Sequence, residues 1–300
     1  MGSRARSGLV GGETCLAMSG GAWHGAIVCA AHQQMGYHPR RSTVTLMECG
    51  AVVLDLNQLR RSCGSCALHE LCLPAGIDSA DLERLDAAVR DKRKLARGGA
   101  LFRQGDAFHA LYVVRSGSLK TFVESPAGDV QVLGFHLPGE IVGVDALTND
   151  HHLCGAEALE QTSICELPYV QLQQVVQEVP SLYRQLMRVI SREVVAEQRH
   201  LIMMGKQQAQ ERLAIFLHSL ADRYGRLSRD TSTLTLPMSR YDIANYLGLV
   251  VETVSRLFGR MEDAGILAVN RKTIRILRPD LLADLCGQGL GRLPHGTEVA

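Results

Sequence analysis

The sequence predicts an α+β chain: an N-terminal cysteine loop, a β jelly-roll barrel, a long helix with a dimerisation seam, and a C-terminal winged helix-turn-helix. Three observations carry this. Between residues 97 and 169, short apolar runs alternate with Gly and Pro turn signals. Beyond Pro180, an uninterrupted segment repeats apolar residues at spacings of 4 and 3. Residues 239–258 then hold two short amphipathic segments joined by Gly248-Leu249.

The bulk properties set the frame. The chain has 300 residues, 46% of them apolar and 21% charged, enough for two globular domains with their own cores. The longest uncharged apolar run, residues 25–31, is far short of the roughly 20 residues a membrane-spanning helix needs. Net charge is only +1, but its distribution is uneven. Residues 121–183 contain no Lys or Arg and nine acidic side chains, so this stretch cannot hold a polyanion. From Arg184 onward, 17 basic residues stand against 12 acidic ones, and seven of the basic ones fall between 240 and 278. Any nucleic-acid contact is therefore expected in the C-terminal third.

Nine cysteines, at 15, 29, 49, 63, 66, 72, 154, 165 and 286, form an odd set with no convincing export signal ahead of them. Arg4 and Arg6 precede a mildly apolar stretch, but glycines and His24 interrupt it, and Val28 is too bulky for a lipoprotein cleavage site before Cys29. A cytoplasmic protein with reduced thiols is expected. Residues 1–46 are rich in Gly, Ala, Ser and His without periodicity, and Met47 is an alternative start, so this segment reads as an extension. The expected organisation is 1–46 disordered extension, 47–76 cysteine loop, 77–180 barrel, 181–206 dimerisation helix, 207–286 winged helix-turn-helix DNA-binding domain and 287–300 flexible tail.

Within the second part, residues 77–94 show Leu82, Leu85 and Val89 at helical spacing, with Asp78 or Ser79 as N-cap. The strands are expected at 101–102, 111–114, 119–123, 130–135, 141–144 and 163–167, punctuated by Gly105-Asp106, Ser116-Gly117, Gly128-Asp129 and Pro138-Gly139. Helices are expected over 181–204 and 209–224, the latter closed by Gly225. A helix pair and a short β segment at 273–277 complete the chain.

Three motifs carry chemistry. In the C-terminal helix pair, Val254, Leu257 and Phe258 form the buried side of the second helix, while Glu252, Ser255 and Arg256 share the opposite face. Such a face fits a major groove: Arg256 can hold guanine O6 and N7, and Glu252 can accept from a cytosine amino group. An ordinary helical hairpin with a solvated charged face is the competing reading. Next, Cys63-x2-Cys66-x5-Cys72 places three soft ligands on one loop, with Cys154 or Cys165 as fourth. Free thiols, a zinc site and an iron-sulfur cluster all remain open on spacing alone. Finally, Tyr183, Met187, Ile190, Val194, Glu197, Leu201 and Met204 form a coiled-coil seam broken by one acid. Across a parallel homodimer the two Glu197 carboxylates would repel, unless Glu197 lies just outside the seam.

These signals, in this order, resemble the FNR branch of the cyclic-AMP-receptor/FNR superfamily, the fumarate and nitrate reduction regulators of bacteria. The resemblance covers residues 60–286. It includes Cys63-Gly-Ser-Cys66-x5-Cys72, Gly134-Phe-His-Leu-Pro-Gly-Glu-Ile-Val-Gly143, Cys165-Glu-Leu-Pro168 and Tyr246-Leu-Gly-Leu-x2-Glu252-Thr-Val-Ser255-Arg256-Leu257. It implies that the barrel is a sensor domain and that Cys165, not Cys154, joins Cys63, Cys66 and Cys72 around a 4Fe-4S cluster when oxygen is absent. It further implies a homodimer when the cluster is loaded, which oxygen dismantles, and double-stranded DNA carrying TTGAT-type inverted repeats, read by Glu252, Ser255 and Arg256. RNA polymerase is the implied partner at genes of anaerobic respiration. The family's switch acid on the dimer helix is Asp; the matching residue here is Glu197, the same charge on a longer side chain.

Rival chemistries fit less well. The superfamily's cyclic-nucleotide binders use an Arg after the Pro-Gly-Glu turn, and residues 141–165 contain neither Arg nor Lys. No cyclic nucleotide is expected. Haem binding through His or Cys has no spacing pattern behind it. A cupin-type metalloenzyme would need a second His two positions before His136, where Gly134 stands, and adjacent His151 and His152 would point to opposite faces of a strand. No enzyme activity and no membrane association are expected.

Overall fold

The computed structural model describes residues 63, 66, 68, 71–227 and 230–287, all within one compact unit, Arg61–Ala300. The expected extension at 1–46, Cys15, Cys29 and Cys49, and the tail beyond 287 lie outside the described residues. A short helix α1 (Ser79–Ala88) opens the described chain, capped by Asp78, whose carboxylate accepts from Asp81 N at 2.9 Å. The helix expected to reach Lys94 stops at Ala88, because residues 90–95 form strand β1 (Arg90–Leu95) instead. That strand pairs with β8 (Thr162–Pro168), and its polar sequence carries no alternation to announce it.

The barrel continues through β2 (Ala100–Phe102), β3 (Ala110–Ser116), β4 (Leu119–Glu124), β5 (Val130–His136), β6 (Ile141–Val142) and β7 (Gly155–Ala158). Two four-stranded antiparallel sheets result, in the orders β1-β8-β3-β6 and β2-β7-β4-β5. Strand β7, Gly-Ala-Glu-Ala, has no β-branched residue and gives no signal of its own.

Strand β3 explains how the barrel meets the helices. Ala110, Tyr112 and Val114 point into the core between the sheets, where they meet Leu119, Ala156 and Ile164. Leu111 and Val113 point outward, into a second core with Leu85, Leu172, Leu182 and Leu186. A strand covered on both faces must be apolar at successive positions, which is why this segment reads as a continuous run.

Strand β8 runs directly into α2 (Tyr169–Glu178), a helix without a polar cap and without a start signal in the sequence. The long helix α3 (Pro180–Lys206) follows, with Pro180 in its first turn, where the missing N–H costs nothing. Its inner face buries Leu182, Gln185, Leu186 and Val189. Helix α4 (Ala209–Arg226) passes through Gly225 and ends with Leu227 as C-cap, two residues later than the glycine signal indicated.

The C-terminal domain adds β9 (Thr233–Thr235), α5 (Arg240–Tyr246), α6 (Val251–Asp263), β10 (Leu267–Asn270), β11 (Thr273–Ile276) and α7 (Pro279–Leu285). Its three-stranded wing has the order β10-β11-β9, of which only the β11 region was legible beforehand. The core of this domain also takes in Val132, Phe135 and Leu137 from the barrel, so the two lobes share one apolar cluster.

Candidate functional site

The cysteine loop is held from three sides. Cys63 N donates to Asp86 Oδ1 of α1 at 2.9 Å. Cys72 N donates to Leu68 O at 3.0 Å, within the loop itself. Gln185 of α3, itself buried, donates from Nε2 to Cys72 O at 3.1 Å. The loop is thereby tied to α1 and to the dimerisation helix at once.

Cys165 reaches the same place from the barrel. On β8 it lies opposite Val113, and both project from the outer face of the sheet. Its neighbour Ile164 points into the barrel core. Cys63, Cys66, Cys72 and Cys165 all line one cavity of about 40 Å³, whose wall is otherwise aliphatic apart from Arg115. Cys154 does not join them. It is 5% exposed inside the barrel core, where its Sγ lies 3.4 Å from Asp145 Oδ2. Cys286 is buried in the core of the C-terminal domain.

Burial pushes the Cys63 thiol up to about 12, with help from Asp86 and Cys72, and pushes Cys72 to about 12 as well. Cys165 is also raised by burial, against the pull of Arg115. These three are neutral thiols at physiological pH, so a bound metal must first displace their protons. Among the described residues, no group of three or more His, Cys, Asp or Glu is spaced to grip a single metal ion. The four sulfurs border a shared volume instead. Four soft thiol donors around one volume are a set that either an iron-sulfur cluster or zinc could use.

The second element of the site is the helix-turn-helix. Ser239 caps α5 in a capping box with Asp242, and Gly248 makes the turn with φ +62°, a conformation that favours glycine. Helix α6 buries Val254, Leu257, Phe258 and Met261. Glu252, Ser255 and Arg256 are all exposed on its other face. The Arg256 Nε donates back to Glu252 O at 3.3 Å, and Arg240 lies over the Phe258 ring at 3.5 Å.

On α3, Tyr183, Met187, Val194 and Leu201 stand exposed, with Leu201 70% open. Glu197 is exposed on the same face, while Ile190 is half-buried against the barrel core and Met204 against the C-terminal core. The apolar face is wider than the seam foreseen, because Val195 and Ile202 are exposed beside it. Both lie seven residues apart, a repeat visible in the sequence but offset from the 4-3 pattern.

A family model described as a Crp-like helix-turn-helix domain matches residues 211–285, and one described as a cyclic nucleotide-binding domain matches 92–179. The transcriptional activator protein Anr of Pseudomonas protegens is 44% identical over 225 residues, 75% of this chain and 92% of that protein. The fumarate and nitrate reduction regulatory protein of Escherichia coli K12 is 40% identical over 75% of this chain and 90% of its own length. The chain belongs to the FNR branch of the cyclic-AMP-receptor/FNR superfamily. Among solved structures, FixK2 from Bradyrhizobium japonicum is similar, with a TM-score of 0.61 at 26% identity over 66% of this chain and 97% of its own.

Family members related to this chain are DNA-binding regulators, not enzymes, and the family is dimeric. The histidines behave accordingly. His136 is half-buried, lies 3.2 Å from Thr121 Oγ1, and is lowered to about 4 chiefly by burial, so it is neutral near pH 7. His152 is buried and stacked on Phe102, while His151 is exposed. Among the described residues, no helix is long and apolar enough to cross a membrane. Sequence reasoning missed the contacts between the lobes: Lys120 Nζ lies 3.0 Å from Asp242 Oδ1, and Arg223 pairs with Glu140. Neither pair has a local spacing signal, since the partners lie far apart in the chain.

Proposed function

We propose that this chain is an oxygen-responsive cytoplasmic transcription regulator. In this reading it holds a 4Fe-4S cluster on Cys63, Cys66, Cys72 and Cys165 without oxygen, pairs through α3, and binds TTGAT-type inverted repeats. It would act with RNA polymerase at genes of anaerobic respiration. The observation that carries this is the single cavity lined by three loop cysteines and one barrel cysteine. When bound, the cluster supplies a covalent, oxygen-labile bridge between the loop and β8.

The rest is work for the chain's own residues. Cys63, Cys72 and Cys165 release their protons on ligation, which makes loading favoured by higher pH. Gln185 joins the Cys72 carbonyl to α3, so order in the loop is felt by the helix that carries the seam. Tyr183, Met187, Ile190, Val194 and Leu201 supply apolar area for a second copy, and Glu197 opposes that pairing. Glu252, Ser255 and Arg256 then face the bases. No cyclic nucleotide enters this scheme, since residues 141–165 have no cation for a cyclic phosphate.

Single Cys→Ser variants purified without oxygen, compared by iron and sulfide content and absorption spectrum, test the reading. Loss is expected at Cys63, Cys66, Cys72 and Cys165, and retention at Cys15, Cys29, Cys49, Cys154 and Cys286. Normal content in Cys165→Ser with loss in Cys154→Ser would overturn the assignment, and a colourless zinc protein would overturn the cluster.

A further inference from the structure

Helix α3 ends at Lys206 and α4 begins at Ala209, leaving two residues to set the angle between the dimerisation helix and the DNA-binding domain. A short link of this kind fixes no direction by itself. Three contacts cross it. His200 of α3 stacks on Tyr246 of α5 with ring centroids 4.3 Å apart. Met204 lies so close to Gly248 that a Cβ there would run into its Cε. The third contact is Arg212, whose guanidinium donates from Nε to Gln207 O at 3.0 Å, from one terminal nitrogen to Met204 O at 2.8 Å, and from the other to Leu247 O at 3.1 Å.

Those carbonyls belong to the C-terminal ends of two helices. Met204 is in the last turn of α3, Gln207 is its C-cap, and Leu247 is the C-cap of α5. Helix C-termini leave carbonyls unpaired and carry partial negative charge, which a cation satisfies. Arg212 itself sits near the start of α4, where its own helix dipole disfavours a cation. Its position is explained by the two helix ends it serves. The planar fork can meet three carbonyls in fixed directions, which a lysine ammonium on a flexible stem cannot do.

We infer that Arg212 is the positioning residue that fixes the end of α5, and through its turn the recognition helix α6, to the dimerisation helix, so that pairing of two α3 helices sets the separation of the two α6 helices. This rests on the reading that α3 pairs with α3 of a second copy. Recognition helices in a two-fold dimer must lie about 34 Å apart to meet half-sites one turn of duplex apart. Inserting one base pair moves a half-site by about 3.4 Å and turns it by roughly 35°, so a rigid joint discriminates against altered spacing and a loose one does not.

The test uses the full chain purified without oxygen, with its dimer verified by sedimentation. It measures affinity for three duplexes: a TTGAT inverted repeat at its preferred spacing, and the same repeat with one base pair inserted or removed. The unmodified chain is expected to lose about tenfold or more on either altered duplex. Arg212→Gln, still a dimer, is expected to bind all three within about threefold of one another, with weaker binding to the best. Arg212→Lys should resemble Arg212→Gln, because charge alone does not restore the fork. If Arg212→Gln does not fold, Gly248→Ala, which forces Met204 away from the turn, is expected to give the same loss of spacing discrimination. Wild-type discrimination in a dimeric Arg212→Gln or, where that variant does not fold, in Gly248→Ala, or full rescue by Arg212→Lys, overturns the inference. An unmodified chain that binds the repeat as a monomer overturns the dimer reading and this inference with it.

Discussion

Arg223 of α4 donates from Nε to Glu140 Oε1 at 2.8 Å, joining the DNA-binding domain to the barrel turn that follows β5. The second terminal nitrogen reaches both Glu140 Oε2 and Phe135 O. Burial alone raises the Glu140 carboxyl, but Arg223 and the Leu137 N–H outweigh it and hold the group below its ordinary range. The neighbouring Gly139 lies against Leu71, next to Cys72. One turn thus touches the cysteine loop on one side and α4 on the other.

Removing half of this pair leaves a poorly solvated charge. Arg223→Met is expected to destabilise the chain by roughly 2 to 4 kcal/mol, less than for a fully buried pair because the side chains stay 22% and 25% exposed. Adding Glu140→Gln should recover much of the loss. Thermal unfolding of the metal-free single and double variants checks both values.

Glu193 of α3 is raised to about 7, first by burial and then by Glu140, with Glu197 adding to it and Arg223 opposing. Arg192 opposes it as well. A carboxyl raised in the folded state binds protons more tightly there than when unfolded. Stability from this group is therefore greatest below about 4.5 and is lost as pH rises towards 7. Glu193→Gln is expected to leave stability unchanged near pH 4 and to raise it at pH 8, by up to about 3 kcal/mol if the whole shift is realised. Unfolding midpoints of the metal-free chain across this range measure it; an equal gain at both ends would remove Glu193 as the cause.

Glu197 stands exposed on the α3 face between Val194 and Leu201. Two such carboxylates brought together repel and lose solvent, so the metal-free chain is expected to be largely monomeric. Glu197→Ala keeps helix propensity and should give a dimer that binds DNA in air. Sedimentation of both metal-free chains at one concentration decides this. If both are monomers, the barrel or cysteine loop, not Glu197, limits pairing.

Arg256→Ala is expected to cost on the order of 1 to 3 kcal/mol in binding the inverted repeat and to remove discrimination at the guanine it reads. Binding to matched and guanine-substituted duplexes at one salt concentration measures this. Unchanged discrimination would take Arg256 out of the readout.

Much of this architecture is local in origin and therefore legible in the chain. The strands at 110–116, 119–124 and 130–136 announce themselves by apolar runs between glycine turns, and α6 by one apolar and one polar face. The 4-3 repeat foretells an exposed stripe on α3 because helical periodicity maps spacing directly onto a face. Where a segment's own residues lack a pattern, as in the charged β1 or the Gly-Ala β7, only pairing with a neighbour makes it a strand.

What the tertiary structure decided is which distant groups meet. Spacing left Cys154 and Cys165 as equal candidates, and a family resemblance alone favoured Cys165. In the fold, pairing with β3 turns Cys165 to the outer face of the sheet, where it lines the same cavity as the loop cysteines, while Cys154 lies in the barrel core. A side-chain period of two makes such a choice depend on the face presented, which no count along the chain reveals. The same holds for Glu140 with Arg223 and for Arg212 with Met204 and Leu247. Periodicity reports what one element does with its own neighbours; a contact between elements exists only once both have been packed into place.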